Sequence, residues 1–544
     1  DHGDEPKKQT LLQRFGVSFN KGYNGMVARY SRAVTFLSAR KWVVIAIIAG
    51  FGVLFYMLMK STPSSFVPEE DMGTVFVNIS LPPASTMERV LAVATQVDSI
   101  CHTVPEVGHT MITTGQNYIG GNGSAYGMVT VRLKPWDQRP SFTNKDAITA
   151  LTKKTAGIRG ARIVFMSQPT VTGFGTSGGF SVQLQDKGGH TMDQFYQVAQ
   201  GFLDVLNKRP EIQYATTSFN PNFPQYEMDI NVPKCKDAGV SVTSILNAMQ
   251  VFYGSSYTSN FTEFGQQYQV IIQADTDYRA AVSGLSKIYV RAPDSSMAPI
   301  TEYITLKRVF GPETVSRFNM FTAMPVSGSP NNGYSTGQAL QAIQETAAEK
   351  LPAGYGFEYS GISREEQSAG SQTIYIFLLC LSFVYLLLSA QYESYLLPFA
   401  VLLSLPVGLS GIFVFAKLFN EDNNIYMQIS MIMLIGLLSK NAILIVEFAV
   451  ERRAKGMSLL ESAIEGGKAR LRPILMTSFA FVFGLLPLIF TSGVGANGDR
   501  SIGTGAIGGM LFGTCLGVFV IPTLFIIFQG LQEKVRKNKS YENE

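Results

Sequence analysis

A single lysine inside a long apolar run places the tightest constraint on what this chain can become. Residues Ile425 to Val450 read IYMQISMIMLIGLLSKNAILIVEFAV, with Lys440 well inside. A hydrocarbon core of about 30 Å is crossed by roughly 20 helical residues, so the run spans a bilayer and carries its lysine deep. A mid-helix lysine costs roughly 2.5 to 3.5 kcal/mol to insert, and such residues face a bundle interior and pair with an anion. Glu447 lies seven residues on, about 10 Å along the axis, too far for a direct pair. Glu393 falls in a loop. Two readings remain: the carboxylate belongs to a polypeptide segment outside these 544 residues, or the lysine snorkels along its stem to the interface. The polar neighbours Ser439 and Asn441 favour the first.

Five further apolar runs, Trp42–Met59, Ser371–Ala390, Leu397–Leu418, Pro473–Phe490 and Ile502–Gln529, predict six spans in all. Apolar residues at 46% and charged ones at 15% fit a membrane class. No small-residue cleavage site follows the first run, which reads as an anchor rather than a signal peptide. Arg452, Arg453, Lys455, Lys468, Arg470 and Arg472 lie between the fourth and fifth spans, with Glu421 and Asp422 on the opposite side. The positive-inside rule then places the basic loop, residues 1–40 and the tail 531–544 in the cytoplasm, and the long region after span one outside. Residues 1–40 carry Lys7, Lys8, Arg14, Lys21 and Arg29 among Phe15, Phe19, Tyr23 and Tyr30. They read as an amphipathic helix on the membrane surface or as a solvated linker. A net charge of +4 without a concentrated basic face argues against nucleic acid. Cys101, Cys235, Cys380 and Cys515 suggest neither a zinc site nor a disulfide framework, and only a Cys101 to Cys235 bridge is left open.

Between residues 61 and 370 the pattern is mixed α/β. Thr74–Leu81 alternates like a strand, and Ser85 with Glu88 is a capping-box signature for a helix toward Val104. Strands near Val107–Thr114 and Gly127–Leu133, a helix at Asn144–Gly157 and a strand at Ala161–Met166 complete a β-α-β-β-α-β order. That order suits a ferredoxin-like layer of helices on an antiparallel sheet. A second such unit starts with Phe180–Gln185, Thr191–Lys208 and Ile212–Ser218. After an insertion it closes with Phe321–Val326, Thr336–Lys350 and Gly356–Ser360.

Two features point to chemistry. Arg470 and Thr477, seven apart on the fifth membrane helix, share a face; equally, Arg470 and Arg472 are ordinary topology anchors and Thr477 bonds a backbone carbonyl. The glycine-rich stretches Gly115–Gly123 and Gly173–Gly179 lack the GK[ST] ending of a phosphate loop and read as mobile connections able to gate a cleft. No nucleophile–base pair, metal constellation or phosphate loop indicates an enzyme or a cofactor.

GLLSKNAILIVEF (Gly436–Phe448), RLRPILMTS (Arg470–Ser478), PSSFVPEED (Pro63–Asp71), AQYES (Ala390–Ser394) and GTGAIGGM (Gly503–Met510) resemble the C-terminal half of resistance-nodulation-division efflux pumps. The closest resemblance is to the hydrophobe/amphiphile multidrug branch typified by acriflavine-resistance protein B, and it extends from about Gln13 to Phe528. The resemblance implies a proton/drug antiporter with protons as the coupling ion, built as a homotrimer in the inner membrane of a Gram-negative bacterium. It also implies a periplasmic adaptor and a TolC-like outer-membrane channel as partners. The first half of the pump would supply two relay aspartates for Lys440, with Arg470 and Thr477 completing the relay and Asn441 supporting it.

On that template the chain divides into a cytoplasmic segment 1–40, a first span 41–60 and a first porter subdomain 61–178. A second porter subdomain covers 179–230 and 320–370 around a docking insertion 231–319, followed by five spans within 371–530 and the tail. Gly115, Gly120, Gly121, Gly123 and Gly127 fall at the family's switch loop, with Tyr118 at an aromatic position. The deep pocket, lined by phenylalanines in relatives, here matches Met111, Thr130, Val164 and Met166, a departure that suits a promiscuous wall for amphiphilic small molecules. The alternatives are the metal-exporting branch, for which Met111, Met128 and Met166 are too few ligands, and a non-transporting membrane scaffold, which has no need of Lys440 at depth.

Overall fold

The computed structural model describes residues 11–541 apart from positions 172, 176, 177, 293 and 332. Lys7 and Lys8 of the opening segment, Thr176 and Ser177 of the second glycine stretch, and residues 542–544 of the tail lie outside the described residues. Two helices come first, α1 (Leu11–Ala39) and α2 (Lys41–Ser61). The helical reading of the opening segment holds from Leu11 and the linker reading does not; one face of α1 is packed, with Tyr30 and Val34 buried and the Tyr30 hydroxyl donating to Val518 O at 3.2 Å. Gly467 permits this, because a Cβ there would lie 2.2 Å from that hydroxyl.

The first sheet is built from β1 (Thr74–Ser80), α3 (Met87–Cys101), β2 (Val107–Asn117), β3 (Gly121–Leu133), α4 (Asn144–Thr155) and β4 (Arg162–Ser167). The strand order is β2-β3-β1-β4, antiparallel throughout. Val75, Val77 and Ile79 alternate toward the two helices and form a core with Val90, Ala94, Val97 and Leu151. Phe76 and Asn78 therefore face the other way. The cap of α3 is Thr86, which accepts from Arg89 N, one residue later than the expected Ser85.

Next come β5 (Phe180–Asp186), α5 (Met192–Leu206) and β6 (Ile212–Thr217). Residues Phe219–Val315 form a separate unit. It contains β7 (Phe223–Ile230), α6 (Val232–Asp237), α7 (Val242–Met249), β8 (Ser256–Glu263), β9 (Gln266–Ile272), α8 (Thr276–Arg279), β10 (Tyr289–Arg291), β11 (Met297–Pro299) and β12 (Ile304–Gly311). Its core gathers Cys235, Val240, Ile245, Leu285 and Ile300. The insertion thus begins before the expected residue 231, because β7 is hydrogen-bonded along its length to β12. It also ends before 319, since β13 (Ser316–Phe318) pairs with β14 (Phe321–Pro330). With α9 (Thr336–Lys350) and β15 (Tyr355–Tyr359) the second sheet is complete, in the order β13-β14-β5-β15 with β6 also on β14. No Cys101 to Cys235 bridge exists, for each thiol is free and buried in its own hydrophobic cluster.

The remaining helices are α10 (Gly361–Tyr392), α11 (Pro398–Leu402), α12 (Leu405–Phe419), α13 (Ile425–Ala454), α14 (Leu459–Ile489), α15 (Ala496–Phe512) and α16 (Val518–Tyr541). Among the described residues six helical stretches are long and apolar enough to cross a membrane. The fifth starts at Leu459, behind a Ser458–Glu461 capping box, not at Pro473, so Lys468 and Arg472 share a helix with Arg470 and Thr477. Small residues let α12 and α15 approach closely: a Cβ on Gly411 would stand 2.5 Å from Gly508 O. Outward faces stay apolar, with Tyr375, Leu379 and Phe383 of α10 largely exposed, as a surface meeting lipid or another subunit requires.

Candidate functional site

Helix α13 presents two unlike sides. Ser430, Leu434, Leu438, Asn441 and Ile445 are buried in the bundle, whereas Gly436, Lys440 and Glu447 are exposed on its surface. A Cβ on Gly436 would meet nothing within 4 Å. Lys440 therefore projects from an open strip, and among the described residues no carboxylate lies within ion-pair distance of it. Glu447 is likewise on that surface but makes no pair with it.

Asn441 fixes the depth of its neighbours. Its Nδ2 donates to Ser478 Oγ of α14 at 3.4 Å, and that same oxygen accepts from the Thr514 hydroxyl at 2.8 Å. Residues 441 and 478 are thus level, which brings Thr477 to the height of Lys440. Arg470, about 10 Å nearer the basic end of the helix, lies level with Phe448, and its guanidinium carbon stands 3.6 Å over that ring. Its Nε is buried without a hydrogen-bond partner among the described residues. The Thr477 hydroxyl donates to Ile474 O at 3.0 Å. Lys440, Thr477 and Arg470 thus occupy neighbouring helices at two depths, while Asn441 points inward to Ser478 rather than alongside Lys440.

Ser439 entered the sequence reading only as a polar neighbour of Lys440, and Ser478 and Thr514 were not singled out. Thr514 sits in a π-helical turn, Gly513–Gly517, between α15 and α16, a kind of irregularity frequent at functional sites. Ser439 is buried and its hydroxyl lacks a partner among the described residues. Only the flanking of Lys440 by polar residues hinted at such a layer; the link to residue 514 needed three dimensions.

The proposed pocket residues meet on one face of the first sheet, the face turned away from α3 and α4. Met111, Thr130, Phe76 and Met166 stand on a single rung across β2, β3, β1 and β4. Val164 follows on the next rung, opposite Asn78. Met111 is exposed and Met166 buried. Tyr118 stands edge-on to Phe76 with ring centres 4.8 Å apart, and its backbone N–H donates to Asn78 Oδ1 at 2.9 Å. Asn78 in turn donates to Met166 Sδ at 3.2 Å. Phe76 and Asn78 belong to this face but were not chosen from the sequence, although the alternation of β1 could have indicated them; Met128, also on it, was weighed only as a metal ligand.

The first glycine stretch forms the end of a hairpin. β2 runs to Asn117 and β3 starts at Gly121, so only three residues turn the chain. The buried Asn117 pins it, donating to Ile79 O at 2.9 Å while its Oδ1 accepts from Ile119 N at 3.1 Å. Gly115 and Gly121 take φ values of +82° and +79°, at a bulge and just past the turn. Gly120 lies against the Tyr126 ring and Gly127 against Val90, each with no room for a Cβ. Gly123 is half-buried within β3.

The AcrB/AcrD/AcrF family profile matches residues 2–529 of this chain. The multidrug/solvent efflux pump membrane transporter MepB of Pseudomonas putida is 34% identical over 519 residues, 94% of this chain and 49% of MepB. Multidrug resistance protein MdtF of Escherichia coli K12 is 32% identical over 542 residues, 98% of this chain and 51% of MdtF. Multidrug export protein AcrF of the same strain is 33% identical over 523 residues, covering 94% and 50%. The chain spans about half the length of these curated relatives. It belongs to the AcrB/AcrD/AcrF family of multi-pass transporters.

Proposed function

We propose that this chain is one half of a proton-driven exporter of hydrophobic and amphiphilic compounds. The observation that carries the reading is Lys440: a cation at the middle of a membrane helix, on an open strip, with no carboxylate of its own among the described residues. A second half supplying acidic groups opposite that strip would complete an ion pair whose protonation changes how the helices meet. Thr477 at the same depth would contribute a hydroxyl to the relay, Arg470 a cation at the cytoplasmic side, and Asn441 a brace that fixes the helix carrying Lys440. The driving force is adequate, at about 2.3 kcal/mol per charge per 100 mV against typical couplings of about 1 to 3 kcal/mol.

In this reading the six apolar helices are six spans of a Gram-negative inner membrane, and the two β-α-β-β-α-β units are ferredoxin-like porter subdomains in the periplasm. The rung Met111–Thr130–Phe76–Met166, with Val164 and Tyr118, contacts the transported compound, and the Gly115–Gly127 hairpin shapes its edge. The insertion at residues 219–315 docks a trimer of pumps to a periplasmic adaptor and a TolC-like outer-membrane channel. The drug and solvent names of the relatives favour this branch over the metal-exporting one.

Lys440→Met tests the proposal against a scaffold role. A transporter loses drug resistance and drug-dependent proton flux while protein level and assembly are kept; a scaffold loses neither.

A further inference from the structure

A groove of about 440 Å³ lies where the first sheet's domain meets the end of the helix bundle opposite its basic loop. Its lining includes Glu70, Asp71, Trp136, Arg139, Phe142 and Arg500. Two carboxylates and two guanidinium groups share it, and three of the four are already satisfied. Glu70 accepts from Gly498 N at 2.8 Å and Asn497 N at 3.2 Å, so it is spent on the start of α15. Asp71 pairs with the fully buried Arg139 side chain at 3.0 Å and also accepts from Asn144 N at 3.0 Å. Arg139 is further held by Lys134 O and Phe142 O and lies over the Trp136 ring at 3.8 Å.

Arg500 is the exception. Its Nε donates to Thr491 O at 3.1 Å, and among the described residues no carboxylate lies within ion-pair distance of its terminal nitrogens. Asp499, next to it in sequence, does not line the groove; Glu421 is near enough for the Arg500 charge to favour its ionised form, yet it makes no ion pair with Arg500 and accepts from the Ser501 hydroxyl at 2.6 Å. The walls beside this guanidinium are amphipathic. Trp136 suits the headgroup level of a bilayer, and Phe490 and Val494, flanking the lining residues Ser492 and Gly493, are largely exposed apolar side chains.

We propose that this groove binds an anionic membrane phospholipid, with Arg500 on the phosphate and Trp136 at the boundary between headgroup and acyl chains. Guanidinium is suited to that task because its planar fork matches phosphate oxygens. A binding pocket of this volume is of the size that encloses a headgroup and the first acyl carbons. The inference rests on the reading of the apolar helices as membrane spans, which sets the groove at headgroup level, and not on proton-coupled transport.

The test uses the assembled transporter in nanodiscs containing brominated phosphatidylglycerol or brominated phosphatidylcholine, each titrated over the same range of mole fractions. Trp136 emission is isolated as the difference between the parent protein and Trp136→Phe. Phosphatidylglycerol is expected to quench this emission at lower mole fraction than phosphatidylcholine. Arg500→Gln should weaken the phosphatidylglycerol effect about tenfold, the loss of one charge-assisted hydrogen bond, and Arg500→Lys should restore part of it. Excess inorganic phosphate should leave the quenching unchanged. Equal quenching by the two lipids overturns the proposal, as does displacement by inorganic phosphate, which would indicate a free-anion site instead. Should Arg500→Gln fail to accumulate, the comparison of lipids in the parent protein decides.

Discussion

Replacing Ser478 with alanine removes one oxygen and strands two donors. The serine is buried, and its Oγ is the shared acceptor of Thr514 at 2.8 Å and Asn441 at 3.4 Å. In a water-soluble core an abandoned buried donor costs about 1 to 3 kcal/mol. Interhelical hydrogen bonds in membranes are weaker on balance, about 0.6 kcal/mol on average and about 1.7 at most, because the unfolded chain also finds partners. The 3.4 Å contact lies at the long limit for N–H to oxygen, so Thr514 should dominate. We therefore expect Ser478→Ala to cost about 1 to 2 kcal/mol, read as a lower temperature at which the detergent-solubilised protein ceases to be monodisperse. Thr514→Val should cost a similar amount, and the double variant little more than either alone, since both remove the same bond. Additive losses, or two variants that both behave as wild type, would refute a coupled polar layer beneath Lys440.

Three further outcomes follow from local geometry. A methyl group at Gly411 would collide with Gly508 O, so Gly411→Ala should push α12 from α15 and cost about 1 to 3 kcal/mol, visible as reduced membrane accumulation and thermal stability. Glu70 caps α15 through both oxygens, and Glu70→Gln should lower stability by about 1 kcal/mol, measured by the same heating assay. Burial pushes the Asp186 carboxyl up, but the His190 ring and the backbone N–H groups of Gly188 and His190 outweigh it and hold it below the ordinary carboxylate range. Its stabilising contribution is therefore complete above the unfolded value of about 3.9 and is lost as pH falls through the folded value. Asp186→Asn should accordingly flatten the acid limb of a stability-against-pH curve.

Much of this architecture is legible in local sequence because membrane helices and capping boxes are local signals. The run from Ile425 needed only hydropathy, and the α3–α4 core followed from the alternation of Val75, Val77 and Ile79. Errors arose where a partner distant in sequence decides the structure. β7 carries Pro224 and acidic residues and reads poorly as a strand, yet β12, some 80 residues on, makes it one. Pro473 looks like a helix start, but it lies inside α14, as prolines in membrane helices can when neighbours satisfy the freed carbonyl. The hairpin near residue 120 was not legible because the side chain that anchors it, Asn117, acts through bonds to β1. Likewise Lys440 was visible as an anomaly, whereas the layer formed by Asn441, Ser478 and Thr514 required the fold.

The most direct measurement is the environment of the Lys440 ammonium in the assembled transporter, determined by a structure that resolves both membrane halves. The account predicts a carboxylate from the other half within about 4 Å of Nζ in at least one state of the cycle. An ammonium directed to the headgroups, or surrounded only by acyl chains in every state, would contradict it.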